Sequence, residues 1–144
     1  LTAVLLLGGG LLAALNPALP LFRPAPEVAA FDWIAEHAAP GSVVLAAFDT
    51  GNALPAWAPV RSVIGHGPET ANLAELQPEV ERFFGGDLAG TAAERFLSEQ
   101  RVSLVLRGPT ERKLGEWETL PTDRLEAVYN ESGYVVYRVE PADD

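Results

Sequence analysis

The chain has 144 residues and a mass of 15.4 kDa, and 48% of its side chains are hydrophobic, which suits one domain and excludes a disordered tail. Twenty acidic residues against ten basic ones give a formal charge of -10, so the basic surface that duplex binding needs is missing. With no cysteine there can be no disulfide and no thiolate metal site, and with no methionine, even at position 1, the sequence reads as a fragment or processed product.

Leu1 to Leu15 is uncharged and apolar, and the first charge of the chain is Arg23. The run is shorter than the roughly 20 residues that cross a bilayer, and reads as the end of a transmembrane helix. A signal peptide and a buried core helix are the rivals. The first shows no basic n-region, and the second is disfavoured by Gly8-Gly9-Gly10, since glycine costs about 1 kcal/mol in the interior of a helix outside the membrane. Residues 16–26 carry Pro17, Pro20, Pro24 and Pro26 and form a stiff linker. Residues 27–140 are then the α/β body, and residues 141–144 a tail.

Pro26 and Glu27 open a helix with Val28, Phe31, Ile34 and Ala35 at helical spacing, which ends before Pro40-Gly41. Ser42 to Phe48 is a continuous apolar run, the pattern of a strand buried on both faces of a parallel sheet. Asp49 to Asn52 reads as a loop and Ala53 to Ala58 as a short helical turn, with a second strand over Val60 to Gly65. So short a connection strains a regular parallel crossover.

Asn72 is placed to cap a helix with Glu75 reaching back; Leu76, Val80, Phe83 and Phe84 form its stripe, Pro78 restarts it and Gly85-Gly86 ends it. Thr91 and Glu94 have capping-box spacing ahead of Phe96-Leu97. Val102 to Leu106 is a further buried strand. After a loop over Gly108 to Pro121, Leu125 to Tyr129 and Tyr134 to Val139 make a hairpin with Val135, Tyr137 and Val139 on one face. The expected fold is α/β: a mixed sheet of about five strands, buried parallel strands plus a C-terminal antiparallel hairpin, flanked by helices.

Chemistry can be placed at three points. Phe48-Asp49-Thr50-Gly51 has the look of an aspartic-protease motif, but that reaction needs two carboxylates sharing a proton and there is no second copy. The plainer reading is that Asp49 and Asn52 satisfy backbone groups at a turn where Gly51 permits the geometry. Gly65-His66-Gly67-Pro68-Glu69-Thr70 follows the next strand, and ligands of open α/β sheets collect outside the carboxyl ends of such strands. His66, Glu69 and Asp49 suit hydrogen bonding to a sugar, a peptide or a phosphate, and lack the spacing of a metal site. Arg107, Arg112 and Lys113 are the only basic cluster, a solvated loop or a weak anion site. His37, at a helix end, is explained by the helix dipole and takes no site role. Trp33, Trp57 and Trp117 read as core or membrane-interface anchors. A phosphate-cradling loop, a nucleophile elbow and a zinc signature are all missing.

In order, an apolar span, a Pro-rich exit, Phe31-Asp32-Trp33-Ile34, Ala39 to Leu45, Phe48 to Asn52, Val60 to His66, Phe83-Phe84, Arg107-Gly108-Pro109 and a Tyr-containing hairpin resemble one known arrangement. It is the extracytoplasmic C-terminal domain of bacterial multispanning GT-C-type glycosyltransferases, which use polyprenyl-phosphate-linked sugars. The likeness covers Phe31 to Val139. Phe48 to Gly51 also looks like the position of the Trp-Trp-Asp motif of oligosaccharyltransferase catalytic subunits, with Ala47 and Phe48 where the tryptophans would stand. In that family the catalytic acids and metal ligands lie in loops between upstream membrane helices.

The resemblance therefore implies a domain that is not catalytic alone and holds no cofactor of its own. It would support or bind the acceptor or lipid-linked sugar through Asp49, Thr50, Gly51, Asn52, His66 and Glu69. Its partners would be the upstream membrane portion and the membrane itself, with no nucleic acid, and it would sit at the cell membrane on the extracytoplasmic side. The alternatives are a membrane-anchored or secreted binding module without an enzymatic partner, and a self-contained hydrolase using Asp49 or His66.

Overall fold

The structure is a computed structural model that describes residues 22–65 and 72–141. The expectations for the apolar span 1–15, for most of the linker, for His66 and Glu69, and for the last three residues lie outside the described residues. Among the described residues no helix is long and apolar enough to cross a membrane.

Five strands form one sheet in the order β2-β1-β3-β5-β4. They are β1 (Val43–Leu45), β2 (Arg61–Ser62), β3 (Val102–Arg107), β4 (Leu125–Glu131) and β5 (Tyr134–Val139). β1 runs parallel to β2 and β3, and β5 is antiparallel to both β3 and β4. The mixed sheet and its closing hairpin are thus as the sequence led us to expect. The short connection from β1 to β2 does carry a parallel pairing. It does so by compacting into helix α2 (Phe48–Ala53) and a 3-10 turn (Leu54–Ala56).

Helix α1 (Ala25–His37) starts with Pro24 at its cap and Pro26 in its first turn, where a missing N–H costs nothing. Its buried face is Glu27, Ala30, Phe31 and Ile34, rotated from the expected stripe so that a carboxylate lies inside and Val28 and Ala35 at the margin. On this side of the sheet α1 packs with Leu54, Val44, Leu104, Leu106 and Val136. The opposite side is covered by α3 (Leu73–Gly85) and α4 (Thr91–Glu99), whose Val80, Phe83, Phe84, Phe96 and Leu97 pack on Val43, Leu45 and Val105. Alternation along β3 is interrupted by an irregularity opposite Val43 and Val44 and resumes from Leu104. As a result Leu104 and Leu106 face α1, while Val105 and then Arg107 fall on the α3 side.

Four details correct the sequence reading. Asp49 to Asn52 is helical, not a loop. Asn72 does precede α3, but in the left-handed conformation (φ 60°) and with no side-chain cap bond. The helix then runs unbroken through Pro78, since the carbonyl one turn back, on exposed Ala74, can be hydrated instead. Gly90, not Thr91, precedes α4, and Glu94 accepts the Thr122 hydroxyl at 3.1 Å in place of the expected capping box. A last helical turn, α5 (Pro109–Arg112), follows β3.

Candidate functional site

The carboxyl ends of β1, β2 and β3 converge on one edge of the parallel half of the sheet, and the chain leaves each of them differently. From β1 it enters α2 directly, with Asp49 in the first turn. Asp, Thr, Gly and Asn are poor helix formers, so this helix is imposed by its packing. Gly51 presses its backbone onto the exit of β2, where a Cβ would run into the Ile64 carbonyl. Gly65 is held just as tightly, since a Cβ there would come within 2.6 Å of the Gly51 carbonyl oxygen. The Ser62 hydroxyl donates to the Gly51 carbonyl at 2.8 Å, completing the seam between α2 and β2.

This seam sorts the sequence-selected residues. Thr50 and Gly51 are buried and serve the packing; Asp49 and Asn52 are exposed, on different sides of α2. Asp49 borders a cleft of about 250 Å³ with Phe48, Gln77, Glu81, Thr110 and Leu114. Its floor is apolar, from Ala47, Ile64 and Val80, and its polar groups are two carboxylates, an amide and a hydroxyl. Gln77 donates to Glu81 at 2.9 Å, which orders one wall. A few hydrogen-bonding groups over an apolar floor suit a neutral, hydroxyl- or amide-bearing ligand of modest size. Among the described residues no group of three or more carboxylates or imidazoles could hold a metal ion.

Behind the cleft lies a buried ionic cluster. Arg23 donates to Glu27 at 3.0 Å and to the backbone carbonyl of Asp49 at 2.8 Å, linking the start of α1 to the first turn of α2. Glu27 is 2% exposed, and its second carboxylate oxygen has no hydrogen-bond partner. Burial pushes its carboxyl above the ordinary 4.5; Arg23 opposes the rise and the Glu111 carboxylate adds to it. Glu111, 1% exposed, accepts from the backbone N–H of Gly108 at 2.8 Å and of Ala47 at 3.0 Å. The Tyr134 phenol is likewise pushed up, by burial first and then by the Glu27 and Glu111 charges.

Sequence reasoning missed Arg23, Glu27 and Glu111. Two local signals were present: Arg23 and Glu27 stand four apart across a helix start, and Glu111 stands three after Gly108 and just past Pro109. The basic cluster is largely engaged within the fold. Arg107 donates to the Gly115 carbonyl at 3.1 Å and to Glu116 at 3.0 Å, and its guanidinium lies 4.5 Å from the centroid of the Trp117 ring. Arg112 donates to the Gly133 carbonyl in the hairpin turn, and Lys113 is exposed. His37 stacks on Trp33 at 4.3 Å, its Nδ1 within 2.8 Å of the Trp33 carbonyl, one turn from the helix end.

The chain matches no protein-family model, no curated protein and no solved structure. A functional reading therefore rests on its own residues and on the resemblance of layout drawn above.

Proposed function

We propose that this chain is the extramembrane domain of a membrane-bound, glycosyltransferase-like protein. Its part would be to bind the acceptor or the sugar-bearing end of a lipid-linked donor, without catalysing transfer by itself. The observation that carries the reading is the cleft beside Asp49. It lies where parallel α/β sheets collect ligands, at the carboxyl ends of the parallel strands, and it combines an apolar floor with carboxylate, amide and hydroxyl groups suited to sugar hydroxyls. Its lining carboxylates, Asp49 and Glu81, stand beside an amide and a hydroxyl, a set of hydrogen-bonding groups that supports recognition of sugar hydroxyls.

The test is an amide chemical-shift map of the labelled full chain titrated with a mixture of neutral oligosaccharides. Expected shifts cluster at Phe48 to Asn52, Gln77 to Glu81 and Thr110, and are reduced in Asp49→Ala. Shifts confined to other surfaces, or none at millimolar sugar, overturn the reading.

A further inference from the structure

A second surface lies on the other side of α2. Phe22, Arg23, Val28, Asn52, Ala56 and Trp57 line a groove of about 430 Å³. Phe22 and Trp57 are each 41% exposed, two of the four large hydrophobic side chains that stand open to solvent among the described residues. Trp57 is not a loose side chain. One side of its ring packs on the core Phe31, centroid to centroid 5.6 Å, which fixes the direction in which the rest of the indole is presented. Among the described residues no carboxylate lines the groove, although the chain carries twenty acidic residues and a formal charge of -10. The sole charge in its lining, Arg23, is turned inward to Glu27 and the Asp49 carbonyl. Phe22 also follows directly on Leu1 to Leu21, a stretch of sequence without a single charged residue.

We infer that this groove is a membrane contact: Phe22 and Trp57 enter the boundary between lipid headgroups and acyl chains, and the 3-10 turn and Asn52 lie against the headgroups. Aromatic side chains with one apolar body and a polar atom favour that boundary, and Trp57 carries both. Two features distinguish a bilayer from a protein partner as the occupant. The groove adjoins, in sequence, the one long uncharged stretch of the chain, and its one charge, Arg23, is taken up by Glu27 and the Asp49 carbonyl and so is not presented to a protein surface. A consequence follows for the cleft. Asn52 on the groove and Asp49 on the cleft belong to the same short helix, so seating the groove on lipid holds the cleft at headgroup level. The inference rests on the reading that the chain works at a membrane.

Flotation and fluorescence separate the two. The full chain is mixed with phosphatidylcholine vesicles whose acyl chains are brominated close to the headgroup, floated, and its tryptophan emission compared with that on unbrominated vesicles. The expected result is flotation with quenching in the parent chain, loss of that quenching in Trp57→Phe, and its retention in Trp33→Phe. Flotation with Trp57 unquenched overturns the groove as the contact and leaves membrane association standing. Trp57 shielded from acrylamide but not quenched by bromine identifies a protein neighbour or a second copy, and overturns the lipid assignment. A chain that does not float overturns both. As a readout independent of tryptophan, amide exchange in Leu54 to Ala58 slows on vesicle addition in the parent and does not slow in Phe22→Ser.

Discussion

Glu111 and Ala47 are joined by a 3.0 Å hydrogen bond across 64 positions of sequence, the Glu111 carboxylate accepting the Ala47 N–H at the point where β1 gives way to α2. The other oxygen of the same carboxylate accepts the Gly108 N–H at the end of β3. One buried side chain thus fixes the spacing of the two central strand ends that frame the cleft. Removing it orphans two buried donors, at about 1–3 kcal/mol each. Glu111→Ala is expected to lower stability by that sum, and Glu111→Gln by less, because the amide oxygen still accepts one of the two bonds. Chemical denaturation of both variants checks the order, and equal losses would remove the staple role.

The seam between α2 and β2 gives a steric prediction. Gly51→Ala places a methyl against the Ile64 carbonyl and is expected to cost about 1–3 kcal/mol or more, as overpacking does. Gly41 has φ +80° but nothing within 4 Å of a Cβ, so Gly41→Ala carries only the left-handed backbone cost, about 1 kcal/mol. Thermal midpoints of the pair should therefore separate, with Gly51→Ala the lower.

Glu27 makes stability depend on pH with a definite sign. Its carboxyl is raised in the folded chain, so the folded state holds that proton more tightly than the unfolded state does. Its contribution to stability therefore falls as pH rises from about 4.5 through the raised value, by about 1.4 kcal/mol per unit of displacement. In Glu27→Gln that slope is absent, so the variant gains on the parent between pH 4.5 and neutrality. Arg23→Gln removes the opposing charge and steepens the slope. Denaturant midpoints of the three chains across this range are the measurement, and a parent parallel to Glu27→Gln would contradict it.

Asp49 is predicted to separate binding from folding. Its side chain is exposed in the first turn of α2, where a negative charge is worth less than about 1 kcal/mol. Asp49→Ala should keep its melting temperature nearly unchanged while losing sugar-induced shifts at Gln77 and Thr110. A variant that binds as the parent does would move the ligand away from this cleft.

The legible parts of the fold are those with a local signature. Val43–Leu45 is wholly apolar and Val102–Arg107 largely so because both of their faces are covered, and the hairpin is marked by the Asn130 to Gly133 turn between two strand-forming runs. Helix α2 was illegible because Phe-Asp-Thr-Gly-Asn-Ala has little helical preference and is held helical by contact with Ile64 and Gly65. The same division runs through the site. Asp49 could be picked out as a polar residue at the end of an apolar strand, whereas Glu81 looks like any exposed helical acid until α3 is packed beside α2. Arg23 and Glu111 each have one partner close in sequence, Glu27 and Gly108, but their second partners, the Asp49 carbonyl and the Ala47 N–H, lie 26 and 64 positions away, beyond any local window.

The hairpin edge bears on how such a chain can be crowded. β4 is the last strand of the sheet, with its register broken between Ala127 and Tyr129 and with Glu126 and Glu131 exposed along it. A kinked, acidic border is a poor template for strand addition by a neighbour. This border of the sheet is thereby guarded against zippering onto a neighbouring copy, by one extra residue, Val128, and two exposed carboxylates.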